Sequence, residues 1–188
     1  VRDRVVGPAF ANGCYRAIES APGANAERLT IRGLRGRDLL RDGIRLRGVR
    51  DVVIEDFDLQ HSPVLSTGSH LPEGIAVGGD GYSGGGLTIR RGVIRGFRMS
   101  SENDPKTGKP RYTNGDGIAI EGGIDGVTIT DVLIEDSTDG GVDTKSTNTR
   151  IDRVTVRNTN RAFRIWKDLQ GGTLTAENFA GGAIWAGR

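Results

Sequence analysis

What this sequence lacks narrows its reading before any motif is considered. Cys14 is the only cysteine in 188 residues, so an internal disulfide and a cysteine-based zinc site are both excluded. In the stretch "CYRAIES" that cysteine is expected to be a buried core residue. Aromatics make up only 5% of the chain and the formal net charge is +2. No basic run interleaved with aromatics is present, so neither nucleic acid nor an anionic membrane is expected as a partner. Lysine is scarce too: Lys106, Lys109, Lys145 and Lys167 are the only lysines among 26 basic residues. The arginines that remain suit forked contacts with carboxylates. No apolar run approaches the ~18 residues of a membrane span, and no basic-then-apolar leader opens the chain. Residue 1 is valine, which suggests a processed or trimmed product, so the missing export signal carries no weight.

Glycine is what the chain has in excess, with 30 residues, roughly double the usual share. The glycines fall in a repeat. The segments "RDGIRLRGVRDVVIEDFDLQ", "EGIAVGG" with "GGLTIRRGVIRGF", "GDGIAIEGGIDGVTITDVLIEDS" and "GGVDTKSTNTRIDRVTVRNT" align, with "RAFRIWKDLQGGTLTAENF" and "GGAIW" as weaker copies and "YRAIESAPGANAERLTIRGL" as an earlier one. Ile118, Val142, Phe163 and Ile184 are successively 24, 21 and 21 residues apart. Alternation with period two, as in Val52, Ile54 and Phe57 or Val127, Ile129, Val132 and Ile134, indicates half-buried strands rather than helices. Units this short bury their apolar face only by stacking. The expected fold is all-β, a right-handed parallel β-helix of about seven coils forming one domain over residues 1–188.

Stacking turns sequence repeats into columns. The inward column is read as Ile44, Ile75, Ile118, Val142, Phe163 and Ile184. One outward column runs Arg45, Ala76, Ala119, Asp143, Arg164. Its neighbours run Asp42, Glu73, Asp116, Asp139 or Gly140, Arg161, and Arg47, Gly78, Glu121, Lys145, Trp166. A groove is therefore expected on this face, walled by insertions at 60–72 and 99–114. His61 and His70 are expected to be surface residues of polar loops. Carboxylates on neighbouring rungs repel, and a bound cation, a shared proton or pairing with Lys145 and Arg164 would each relieve them. Calcium would take Asp116, Asp139 and Asp143 plus carbonyls and water.

The pattern Asn-x-Asp-Gly (114–117) followed one coil later by Asp-x-Gly-x-Asp (139–143) resembles the calcium-binding pattern of family 9 polysaccharide lyases, in the pectate-lyase-like superfamily. That resemblance implies Asp116, Asp139 and Asp143 as calcium ligands, a secreted or periplasmic location, and cleavage of an acidic, uronate-containing polysaccharide by β-elimination. Gly140 stands where the family has a further Asp, and no downstream motif matches the family's lysine base. A weaker resemblance is to the polygalacturonases of glycoside hydrolase family 28, on "NGDGI" (114–118), "GGVDTKS" (140–146) and "RIWK" (164–167); the Gly-His-Gly of that family has no counterpart. Under the lyase reading Lys145, or Lys167 in its place, is the candidate base and Arg164 the partner of the anionic intermediate. Glu121, Arg161 and Trp166 are the candidate substrate contacts. An inverting hydrolase using an acid pair without metal and a non-catalytic carbohydrate-binding or structural β-helix are the alternatives.

Overall fold

The computed structural model describes residues 4–7, 9–67, 71–79 and 81–187; His70 lies outside them. Among the described residues sixteen strands follow one another without a helix: β1 (Arg4–Val6), β2 (Ala9–Asn12), β3 (Arg16–Glu19), β4 (Asn25–Glu27), β5 (Leu29–Arg32), β6 (Leu34–Leu39), β7 (Asp42–Leu46), β8 (Gly48–His61), β9 (Glu73–Val77), β10 (Gly84–Arg95), β11 (Asp116–Ile120), β12 (Ile124–Glu135), β13 (Gly140–Thr144), β14 (Thr147–Ile165), β15 (Leu169–Gly171) and β16 (Leu174–Ala186). They form a single sheet ordered β1-β5-β8-β10-β12-β14-β13-β11-β9-β7-β3, with β16 added on β14. The strand pairs are parallel throughout. This is a parallel β-helix, as the repeat implies.

The inward residues explain why the coils stack. Val52, Ile54, Leu87, Ile89, Val127, Ile129, Ile151 and Val154 are all fully buried in one hydrophobic core. Burying each such side chain contributes about 1.5–3 kcal/mol. Ile44, Ile75, Ile118, Val142, Phe163 and Ile184 follow in register along the short strands, as expected from the spacing. All but Ile184, which is 58% exposed on the last coil, are buried. Cys14 is half-buried and packs against the core rather than within it.

The long strands bend at residues with positive φ. Asp56, Arg91, Asp131 and Arg153 lie at φ of 50° to 57° and, by the ladder register, stack in one column. Short polar side chains tolerate this left-handed conformation best. Here alternating charge also stabilises the corner, with Arg91 Nε donating to Asp56 at 2.7 Å and Arg153 Nε to Asp131 at 2.6 Å.

A second column explains the recurring acid–glycine pair. A Cβ on Gly43 would lie 2.5 Å from the carbonyl oxygen of Gly74, one on Gly74 equally close to that of Gly117, and one on Gly117 2.7 Å from that of Gly141. Each coil passes directly over the glycine of the one before, so only glycine fits there. The glycine of the Asn-x-Asp-Gly stretch is thus a stacking requirement of the scaffold. The acid beside it is free to serve another purpose.

The insertions at 60–72 and 99–114 are joined to each other. Ser66 pairs with Met99 as an isolated parallel bridge, Ser66 N–H donates to the Arg98 carbonyl and Ser100 N–H to that of Ser66. His61 is not at the surface. It ends β8 at 2% exposure, because these joined segments close over it, and its ring lies 5.4 Å from that of Phe97.

Candidate functional site

The outward residues of the short strands form the expected columns. Asp42 faces Arg16, Glu73 faces Asp116, and Gly140 faces Arg161 across successive coils. Arg45, Ala76, Ala119, Asp143, Arg164 and Trp185 form the next column. The alternative left open by the spacing resolves to Gly140 in the ladder, with Asp139 just before it at the strand mouth. Gly140 N–H donates to Asp116 Oδ1 at 2.7 Å. A Cβ at residue 140 would lie 2.5 Å from that oxygen, so a side chain there would displace the Asp116 carboxyl.

The carboxyls lie deeper than an open surface groove would place them. Asp116, Asp139 and Asp143 are 3%, 2% and 7% exposed. Arg164 sits among them, with its guanidinium bonded to Asp139 and, at 2.9 Å, to Asp143 Oδ2. Arg161 holds Asp139 Oδ1 at 2.8 Å and Asn160 reaches the same oxygen at 3.3 Å. Tyr112, carried in by the 99–114 insertion, donates its hydroxyl to Asp139 and accepts from Arg164 at 3.0 Å. Partial burial and the Asp139 carboxylate push the Tyr112 phenol up to about 12, so it stays a donor. Trp166 Nε1 donates to Asp143 Oδ1 at 2.7 Å.

These contacts bear on the calcium expectation. Asp139 and Asp143 each give both carboxylate oxygens to guanidinium, phenol, amide or indole donors, and Asp116 gives one to a backbone N–H. Arg164 supplies the positive charge that a cation would supply, at the position where a cation would have to sit. Among the described residues no group of three or more His, Cys, Asp or Glu side chains is disposed to hold a metal ion. The three acids as arranged fit a guanidinium, not a hard cation that wants six to eight free oxygens. The expected outcome is that adding calcium, or removing it with chelator, leaves the melting temperature unchanged in a thermal-shift measurement.

Of the remaining sequence candidates, Lys145 donates to Glu121 Oε2 at 2.6 Å and lies 5.9 Å from the Trp166 ring. Lys167 is exposed. Four participants went unrecognised in the sequence: Glu73, Tyr112, Asn160 and Trp185. Trp185 was within reach of the repeat, since it directly follows Ile184 of the inward column and so falls on the outward one.

Electrostatics separates the acids. Burial first, then the charges of Asp143, Asp139 and Glu73, push the Asp116 carboxyl well above its ordinary range. Glu73 is raised to about 7, by burial and by Asp42. Burial raises Asp143 as well, but Arg164 and the Trp166 N–H pull it back. Asp42 is likewise raised by burial. A carboxyl whose folded pKa exceeds its unfolded 4.5 stabilises the protein fully below pH 4.5 and loses that contribution as pH rises towards about 7. For Glu73 the loss amounts to up to about 3 kcal/mol. Glu73→Gln should therefore match the parent in acid and melt higher than it at mildly alkaline pH, read as melting temperature against pH.

The aromatic end of the groove is a cleft of about 210 Å³ lined by Tyr112, Arg161, Arg164, Trp166 and Trp185. A wider concavity of about 540 Å³ runs along the Asp56–Arg91–Asp131–Arg153 corner. Its charges satisfy one another, and no carboxyl lining it is raised.

No family model matches the sequence, and no curated protein matches it either. Among solved structures, the chain is similar to the catalytic domain of a GH87 alpha-1,3-glucanase in complex with nigerose, with a TM-score of 0.43 and 16% identity over 95% of this chain and 47% of that one. A second match is a substituted form of such a domain in complex with tetrasaccharides, with a TM-score of 0.41 and 14% identity over 95% of this chain and 54% of that one. The chain thus spans about half the length of the solved chains it matches.

Proposed function

We propose that this β-helix is a glycan-cleaving protein whose groove works by carboxyl acid–base chemistry, as a glycoside hydrolase. The observation that carries the proposal is the pairing of Asp116 with Asp143 on neighbouring coils of one outward face. Burial raises both, but other acids push Asp116 further up while Arg164 and Trp166 pull Asp143 back, and unequal environments of this kind are how acid and base are assigned in a two-carboxyl site. Asp116 is buried and faced by other acids, and both effects make it hold its proton more tightly than an ordinary carboxyl. With Oδ1 held by the Gly140 N–H, it is the general acid that protonates the leaving glycosidic oxygen. Asp143 lies against Arg164 and Trp166, which favour its ionised form, and it serves as the base that takes a proton from the attacking water.

The elimination route, placed first on the sequence, has less support from this geometry. It needs a cation on the substrate carboxylate and a free lysine base. Asp139 and Asp143 are occupied by Arg164, and Lys145 is tied to Glu121. The cations of the groove, Lys145, Arg161 and Arg164, are each matched by a carboxylate. That balance favours a neutral glycan over a polyuronate.

The test is to incubate the chain with α- and β-linked glucans and with polygalacturonate and alginate, following both new reducing ends and the ultraviolet absorbance of unsaturated uronate. Reducing ends without absorbance support hydrolysis. Absorbance on the uronates restores elimination. Silence in both, with binding retained, leaves a non-catalytic carbohydrate-binding β-helix.

A further inference from the structure

We infer that Tyr112, Trp166 and Trp185 form a subsite for one neutral sugar ring beside Asp143 and Arg164, and that Trp166 links its occupancy to Asp143. This inference rests on the glycan reading of the groove, but it concerns binding and is tested separately from cleavage.

The Trp166 and Trp185 rings meet edge to face, with centroids 4.4 Å apart at 62°, so together they make a corner rather than a flat stack. Such a corner offers one apolar face and one edge, which matches the C–H face and rim of a pyranose. Tyr112, 60% exposed, brings a phenol from the insertion to the other side, and Trp185 is itself 38% exposed. Aromatics with an apolar body and a polar tip are suited to half-wet contacts of this kind. Arg161 gives one nitrogen to Asp139 and still lines the cleft with a side chain 37% exposed, within reach of hydroxyl groups. The cleft, at about 210 Å³, is smaller than the ~300 Å³ at which pockets for drug-sized ligands begin. Its size suits one ring.

Gly187 reads as part of this device. A Cβ there would lie 2.8 Å from Trp166 Cε3 and 2.9 Å from Trp185 Cζ3, so any side chain would push both rings out of the corner. Trp166 is a positioning residue here. Its Nε1–H holds Asp143 Oδ1 at 2.7 Å, so a sugar seated on the ring fixes the carboxylate beside the scissile bond.

The chain has two tryptophans, both in this corner, so intrinsic fluorescence reports on it directly. Glucose, α- and β-linked glucose disaccharides and digalacturonate are titrated into the Asp116→Asn chain, in which turnover is blocked. A saturable fluorescence change is expected with the neutral sugars, weakened at least tenfold by Trp185→Ala and by Gly187→Ala and less by Trp185→Phe, with circular dichroism unchanged. Should Trp185→Ala fail to fold, Gly187→Ala and Trp185→Phe carry the test. Sugar binding that both substitutions leave untouched, or no binding of any probe, overturns the inference. Saturable binding lost in Gly187→Ala while no glycan is cleaved sustains the subsite and removes the hydrolase reading. Cleavage with an unchanged KM in Trp185→Ala does the reverse.

Discussion

On the hydrolase reading proposed above, Asp116→Asn is expected to cut glycan cleavage by about 10²–10⁴-fold while making the folded chain more stable at neutral pH. Asparagine keeps the size of the side chain and an oxygen to accept the Gly140 N–H, so the local backbone is preserved. What it lacks is a proton acidic enough to give to the leaving oxygen. Loss of a general acid typically costs 10²–10⁴-fold in rate, and kcat/KM should fall within that range with KM little changed. Stability moves the other way. Asp116 is buried and repelled by Asp143, Asp139 and Glu73, so replacing it with a neutral amide removes an unfavourable group, the trade expected where function holds a site away from its stability optimum. Kinetics on a cleaved glycan and denaturant unfolding of the same preparations check both signs. Full activity in the variant would remove Asp116 from the mechanism.

The second large effect belongs to Arg164. Its side chain is 13% exposed and bridges Asp139 and Asp143, whose side chains are 2% and 10% exposed. Removing one partner of a buried ion pair strands the other, at 3–5 kcal/mol in typical cases. Since the arginine retains some solvent contact, Arg164→Ala is expected to lose about 3 kcal/mol at neutral pH. Asp143, already raised by burial, then rises further. A carboxyl raised above its unfolded value costs least in acid and most once it ionises. The deficit of the variant should therefore shrink as pH falls towards the ordinary carboxylate range and grow as pH rises, measured as unfolding midpoints across pH. A deficit independent of pH would mean that Arg164 acts through packing alone.

The scaffold was legible in the sequence for a physical reason. Period-two alternation and a 21- to 24-residue spacing fix which residues of successive coils stand above one another; the ladder from Ile118 to Ile184 follows that arithmetic, and the longer steps from Ile44 to Ile75 and Ile118 take up the insertions. The site was legible only as a set of columns. Spacing placed Asp116, Asp143, Arg164 and Trp166 on one face, but it could not say that Arg164 would lie among the acids. That depends on where the guanidinium points, which spacing does not give. Glu73 was placed in its column and passed over, because its raised pKa comes from burial by distant segments and from Asp42 a coil away. Tyr112 was hidden in an insertion read only as a wall, since nothing in "KPRYTNGDG" indicates that its phenol reaches Asp139. Gly117, part of the motif that gave the resemblance its shape, is also required by the close passage of one coil over the next.

The central claim is that Asp116 and Asp143 deliver water to a glycosidic bond, and cleavage in isotope-labelled water tests it most directly. Mass spectrometry of the products should show the heavy oxygen in the new reducing end of the fragments, with chelator present and with calcium present alike. Products that carry no label and end in an unsaturated sugar would contradict the account.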